Sequence, residues 1–349
     1  MVNMLAKIRG RLSLAAHVLL EGRLPVNARG EIPPISPKEV VEIKEFFPMD
    51  KFFIYGHARS GTTLLVRLVR LHPEVHCNYQ GHFFTRPPLL RSLVSDPQVE
   101  SWLTRRSNRW NRGRDLSPVV LRAVSDYIME RDARRKGKSI VGDKSPNSLL
   151  NGQAVQFTHD IYPDARLVFI VRDGRDAVLS HRFQTFIDAP QHLTKQDWAI
   201  REAFADDPEP FLRGERSVFT ARGIQRAVEG WARNVTETDQ MGQELFGDRY
   251  LSLRFEDLLS DPWVYMCHLW DFLGVRTDVP GLQATLEREI SRNPDRDWQR
   301  QKAKSLVEPL QKGKHGSWRE LFTAYDRQVF KQIAGELLIA KGYEVDTDW

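Results

Sequence analysis

Residues 51–63 constrain the fold more than any other stretch of the chain. Lys51-Phe-Phe-Ile-Tyr55 is a short apolar run of the kind that forms a buried strand, and it ends at Gly56. A glycine-bounded loop follows. From Thr62, apolar residues recur at Leu64, Leu65, Leu68, Val69 and Leu71, which is helical spacing. Strand, loop and helix therefore follow one another directly. The pattern repeats downstream, with Ser139–Asp143, Leu167–Val171 and Tyr250–Phe255 as further strands. A helical stretch begins near Asp176, and another covers Trp263–Leu273 with Gly274 suited to its C-terminal cap. Strands alternating with helices predict an α/β fold, a parallel sheet covered by helices on both faces.

Length and composition fit that architecture. With 349 residues, 41% of them hydrophobic and 28% charged, the chain can build one large α/β core with insertions. The expected organisation is an N-terminal helix and irregular lead-in over 1–50, then one α/β domain over 51–343. The lead-in is marked by Pro25, Pro33, Pro34, Pro37 and Pro48. Residues 85–138 read as helical, polar and rich in arginine. Residues 183–226, with Pro190, Pro208 and Pro210 beside Asp206, Asp207 and Glu209, read as an irregular, lid-like insertion. The net charge of +5 is spread along the chain. It suits an anionic small ligand, and no concentrated basic face points to nucleic acid. Cys77 and Cys267 are too few for a disulfide framework, although the two could pair, and no zinc-ligand spacing occurs. The expected compartment is therefore reducing and cytoplasmic. Residues 1–22 read as an amphipathic helix packed on the body, with membrane or partner contact as the alternative.

The loop Gly56-His-Ala-Arg-Ser-Gly61-Thr62-Thr63 carries the first chemistry. Its glycines let backbone N–H groups turn inward, and the following helix adds the positive end of its dipole, which together bind an anion. A nucleoside-triphosphate loop would carry Lys after the second glycine, and Thr62 stands there instead. Arg59 supplies the nearest cation. The loop suits a terminal phosphate, or a phosphate bearing one further anionic group; the plain alternative is a glycine turn. After the third strand, Arg172 and Ser180 offer a guanidinium fork and a hydroxyl to one phosphate, unless they belong to an Arg–Asp surface network. Near the C-terminus, Lys312-Gly313-Lys-His-Gly316-Ser-Trp318 offers charge and accessible amides, or else is a solvated turn.

In this order the motifs resemble the sulfotransferase superfamily that uses 3′-phosphoadenosine 5′-phosphosulfate (PAPS), in particular its bacterial and tyrosylprotein-like branches. Leu71-His-Pro-Glu-Val75 adds to the likeness, as does Arg254-Phe-Glu256-Asp257-Leu with Asp261-Pro262, read as structural. The resemblance implies a P-loop-type parallel sheet flanked by helices on both faces, with helical insertions. It implies transfer of a sulfuryl group from PAPS to a hydroxyl or amine by in-line displacement, with no metal required. Arg59, Ser60, Gly61, Thr62 and Thr63 would hold the 5′-phosphosulfate. Arg172 and Ser180 would hold the 3′-phosphate, with Lys312 and Gly313 closing over it. Gln311 departs from the usual arginine. Lys144, in Gly142-Asp-Lys144-Ser-Pro146, would stabilise the leaving oxygen together with Arg59.

The general base is less direct. Gln80 occupies the position of the family's glutamate, and an amide cannot accept the proton. His82 lies two residues on, and in an extended segment it points to the same side. His82 is thus the candidate base, with Asp143, His57, His72 and His181 behind it. The acceptor is left open among small molecules, carbohydrates and peptides. Its contacts are expected within 79–138 and 183–226. Trp102, Trp110, Phe183, Phe186 and Trp198 read first as core and second as an apolar or sugar-stacking lining. Two other functions fit parts of the pattern: a P-loop kinase-like phosphotransferase, and a noncatalytic adenosine-bisphosphate-binding protein.

Overall fold

The computed structural model describes residues 32–87, 89–107, 109–292, 306 and 316–349. The expectations for residues 1–31, and those for Gln311, Lys312 and Gly313, lie outside the described residues.

Among the described residues, five strands form one parallel sheet: β1 (Asp50–Gly56), β2 (Val75–Tyr79), β3 (Ile140–Lys144), β4 (Arg166–Val171) and β5 (Tyr250–Arg254), in the order β2-β3-β1-β4-β5. Four match the strands expected from sequence to within a residue or so. The fifth, β2, is not among them. The polar and weakly apolar residues of Val-His-Cys-Asn-Tyr hide it, yet it pairs with β3 throughout.

The apolar runs split between two faces by strand alternation. Phe53, Tyr55, Leu167, Phe169 and Val171 face one core, packed under the helices Ser117–Arg135, Asn151–Ile161, Ala221–Phe246 and Ala324–Ala340. Phe52, Ile54, Val168 and Ile170 face the other, under Thr62–Val69, Pro262–Phe272 and Leu282–Ile290. Burial on both faces is why β1 and β4 read as continuous apolar runs rather than alternating ones.

Two irregular readings are corrected. Ser36 closes a capping box with Glu39 and starts a helix at Pro37–Lys44, within the expected lead-in. Residues 183–226 are largely helical, through Gly174–Asp188, Lys195–Asp206, Glu209–Leu212 and the start of Ala221–Phe246. Their prolines lie at first-turn or cap positions, where a missing N–H costs nothing, so they punctuate helices without abolishing them. Arg122, Asp126, Glu130 and Lys51 form a buried ion network at the N-terminal end of β1; Lys51 Nζ lies 2.8 Å from Glu130. Cys77 and Cys267 are unbridged. Among the described residues, no helix is long and apolar enough to cross a membrane.

Candidate active site

The order β2-β3-β1-β4-β5 places the site. The chain leaves β1 toward β2 and β3 on one side and occupies β4 and β5 on the other, so a crevice opens beyond the C-terminal end of β1, where open parallel sheets bind ligands. The loop 56–61 runs through it. Lys144 ends β3 on one flank, and Arg172 follows β4 on the other. Residues 59, 144 and 172 are far apart in sequence and converge because their strands are neighbours.

The loop holds its shape through backbone conformation. Arg59 has φ 71° and Gly61 has φ 89°. Gly61 is the N-cap of the helix Thr62–Val69, which Thr62 and Thr63 open, and which has no side-chain cap and no acidic residue in its first turn. Its opening amides therefore lack intrahelical acceptors and lie at the positive end of the helix dipole, toward the crevice. A Cβ at position 61 would run into the ring of Phe255, so glycine is required there by conformation and by space. The Arg172 guanidinium lies 5.0 Å from the centroid of that same ring.

Arg59, Arg172 and Ser180 come together, with Arg59 bridging the other two. Arg59 Nε donates to Ser180 Oγ at 3.1 Å, and Arg172 donates to the Arg59 carbonyl at 3.1 Å. The C-terminal motif reaches the same place through its described end. Gly316 N donates to Asp176 Oδ2 at 2.6 Å, and the Trp318 ring lies 3.9 Å from the Arg175 guanidinium. Asp176 and Arg175 belong to the helix that presents Ser180, so Gly174–Asp188 is the common support.

Among the described residues, three buried donors around the loop have no hydrogen-bond partner, Ser60 Oγ, Lys144 Nζ and Arg172 Nε, and the buried acceptors Asp176 Oδ1 and Glu256 Oε2 near Arg172 also lack one. Buried polar groups are nearly always satisfied, and three unpartnered donors beside one glycine loop at a helix N-terminus suit an anion. Lys144 is fully buried, with Nζ 3.9 Å above the Tyr79 ring. Burial pushes the pKa of its ammonium down to about 8, partly offset by Cys77 and Asp143. A bound anion would raise that pKa again.

The segment carrying His82 is not extended. β2 ends at Tyr79, Gln80 has φ 57° and His82 has φ 51°. The alternation argument that linked positions 80 and 82 therefore fails. A different device brings His82 to the site. Gly81 N donates to Asp143 Oδ1 at 2.8 Å, Ser145 Oγ donates to Asp143 Oδ2 at 2.6 Å, and His82 N donates to Ser145 Oγ at 2.9 Å. The turn is thus tied to the residues on either side of Lys144. His82 Nδ1 lies 2.8 Å from Thr85 Oγ1. Burial, then Arg86 and Lys144, hold its imidazole below the usual histidine range.

The other candidate bases separate by surroundings. Burial raises Asp143 to about 6, opposed by Ser145, Gly81 and Lys144, and both its oxygens already accept hydrogen bonds. His72 engages both ring nitrogens, with the Arg276 carbonyl and the Glu74 amide, before β2 begins. Burial brings His57 down to about 4, and His181, whose ring centroid is 6.4 Å away, is also lowered by burial and by Arg59. Glu256 accepts from Asp173 N at 3.0 Å, and Asp261 caps the helix Pro262–Phe272. Phe255, Tyr79 and Ser145 also belong to the site, and the sequence gives them no signal of their own. Each stands beside a motif residue, but only the fold turns it toward the loop. Among the described residues, no group of three acidic, His or Cys side chains is placed to hold a metal ion.

Residues 51–279 match the sequence model of the sulfotransferase family. The chain belongs to that family. Among curated relatives, it is similar to a Drosophila melanogaster protein-tyrosine sulfotransferase, at 24% identity over 69% of this chain and 40% of the relative. It is 31% identical to a Caenorhabditis elegans protein-tyrosine sulfotransferase A over 37% of this chain and 32% of that protein. A mouse heparan sulfate glucosamine 3-O-sulfotransferase 6 is 23% identical over 77% of this chain and 69% of the relative. The chain thus spans less than half the length of the first two. Within the family match lie the loop, Lys144, the His82 turn, Arg172 and Ser180; the Gly316–Trp318 end of the site lies beyond it.

Proposed function

We propose that this family member transfers a sulfuryl group from PAPS to a hydroxyl or amine acceptor. The observation that carries the reading is the set of unpartnered buried donors, Ser60 Oγ, Lys144 Nζ and Arg172 Nε, around a glycine loop at a helix N-terminus. PAPS brings an anion for each part of that set. The loop amides and Ser60 fit its 5′-phosphosulfate, Lys144 and Arg59 flank the bridging oxygen where charge develops, and Arg172 with Ser180 fit its 3′-phosphate. His82, tied beside Lys144 by Ser145, takes the acceptor's proton as the bond to sulfur forms. Thr62 in place of a loop lysine speaks against a phosphoryl donor. The relatives' names support oxygen acceptors, a tyrosine in two and a glucosamine 3-hydroxyl in the third.

The test is calorimetric binding of adenosine 3′,5′-bisphosphate against 5′-AMP, followed by ³⁵S transfer to an acceptor library. A charge-assisted contact is worth about 1.5–3 kcal/mol, so 5′-AMP should bind at least about tenfold more weakly. Equal affinities would remove Arg172 and Ser180 from the donor site. Magnesium-dependent preference for ATP would favour phosphoryl transfer.

A further inference from the structure

The turn that follows β2 is bound to the end of β3 more completely than a connecting loop requires. Its three consecutive amides donate to three consecutive residues: Gln80 N to the Lys144 carbonyl at 2.8 Å, Gly81 N to Asp143 Oδ1 at 2.8 Å and His82 N to Ser145 Oγ at 2.9 Å. Asp143 and Ser145 are buried, and the Ser145 hydroxyl donates to Asp143 Oδ2 at 2.6 Å. Ser145 N in turn donates to the Ile54 carbonyl on β1, and Asn147 N to the Gly56 carbonyl that opens the anion loop. Hydrogen bonds thus link the loop, the Lys144 segment and His82 into one frame.

The turn also carries strain. Gln80 at φ 57° and His82 at φ 51° are non-glycine residues in left-handed backbone, a conformation that persists only where the surroundings enforce it. Between them, a Cβ on Gly81 would lie 2.7 Å from the Phe83 ring and 2.8 Å from Asp143 Oδ1, so only glycine fits against the carboxylate. The imidazole is fixed as well. Its Nδ1 lies 2.8 Å from Oγ1 of the buried Thr85, and among the described residues no hydrogen bond engages Nε2.

We propose that Asp143, Ser145 and Thr85 are positioning residues for the transfer reaction, holding His82 beside Lys144 with Nε2 as the proton-accepting atom. The inference rests on the reading of His82 as the base. In the accepting form Nδ1–H donates to Thr85 Oγ1, and Nε2 carries the lone pair. The acceptor's hydroxyl proton passes to Nε2 as its oxygen bonds to sulfur. The bond from sulfur to the 5′-phosphate oxygen breaks, and the electron pair stays on that oxygen beside Lys144. The frame therefore holds the proton acceptor and the cation of one displacement in fixed relation. Without its ties the turn relaxes to ordinary backbone and carries the imidazole away, while Lys144 stays on β3. The low pKa of His82, set by burial, then Arg86 and Lys144, agrees with this placement.

The first test needs neither donor nor acceptor. The full chain would be labelled with ¹⁵N,¹³C-histidine, and the His82 signal assigned by its loss in His82→Asn. In the wild type the nitrogen shifts should report a proton on Nδ1. Lys144→Met should raise the His82 pKa by about half a pH unit, because a neighbouring cation disfavours imidazolium. Ser145→Ala, with Asp143→Asn as a second variant, should raise it too, and Lys144→Met should then add little. The Gly81 and His82 amides should exchange at least about tenfold faster in those variants, with β4 still protected. Thr85→Val should mix the tautomers, and Thr85→Ser should keep the wild-type shifts. On an acceptor found by ³⁵S transfer, Ser145→Ala and Thr85→Val should each lower kcat about tenfold, leave adenosine 3′,5′-bisphosphate affinity unchanged, and add nothing in the His82→Asn background. A wild-type His82 protonated on Nε2, or wild-type pKa and amide protection in both Ser145→Ala and Asp143→Asn, would overturn the frame. An intact frame with undiminished turnover in His82→Asn would instead overturn the base reading, and with it this role.

Discussion

Lys144→Met should make the protein more stable and inactive. Lys144 is fully buried with its ammonium unpartnered, and burial lowers its pKa from 10.5 to about 8. At about 1.4 kcal/mol per pKa unit, keeping that charge inside at neutral pH costs about 3 kcal/mol. Methionine retains the unbranched stem and removes the charge. It also removes the contact with the Tyr79 ring, worth about 0.5–2 kcal/mol. The expected net gain at pH 7 is therefore about 1–3 kcal/mol in urea unfolding. The pH dependence carries a sharper signature. Between pH 8 and 10.5 the unfolded chain holds a proton on Lys144 that the folded chain has lost. Stability should therefore rise with pH in that window for the wild type relative to Lys144→Met, and the two should converge above it. On the proposed role of Lys144 at the leaving oxygen, turnover should fall by orders of magnitude. A variant less stable than wild type at pH 7, or one with the same pH slope between 8 and 10.5, would refute the idea that an unpaired ammonium is held there.

Two further outcomes follow from the site's geometry. His82→Asn should reduce turnover about 10²–10⁴-fold with little change in donor-product affinity. In the wild type the rate should rise with pH through an apparent pKa below imidazole's ordinary value, since only neutral imidazole accepts the proton; a loss under about threefold, or an unchanged pH profile in the variant, would make His82 structural. Gly61→Ala should destabilise by about 1–3 kcal/mol and abolish donor-product binding, because it forces alanine to φ 89° against the Phe255 ring. Adding Phe255→Ala should relieve the collision but not the backbone strain, so only part of the stability should return; unchanged binding in Gly61→Ala would detach the loop from the donor.

Local sequence suffices for the sheet's central strands and the anion loop. β1 and β4 are buried on both faces, so their apolar runs are unbroken, and Gly61 is demanded by its own backbone conformation. Arg59, Lys144, Arg172 and Ser180 are legible because each sits at a strand end or in the loop or helix that follows, where an α/β fold gathers its ligands. Other features depend on neighbours distant in the chain. β2 is a strand because β3 offers it a ladder, not because Val-His-Cys-Asn-Tyr alternates. His82 reaches the site through Asp143 and Ser145, about sixty residues on, and not through the extended spacing its sequence suggests. Trp102 and Trp110 look like core residues by type, and only the assembled fold leaves both about half exposed. Propensity and glycine chemistry act within a few residues and can be read from the chain; burial, hydrogen-bond satisfaction and pKa depend on groups brought together only when the sheet assembles.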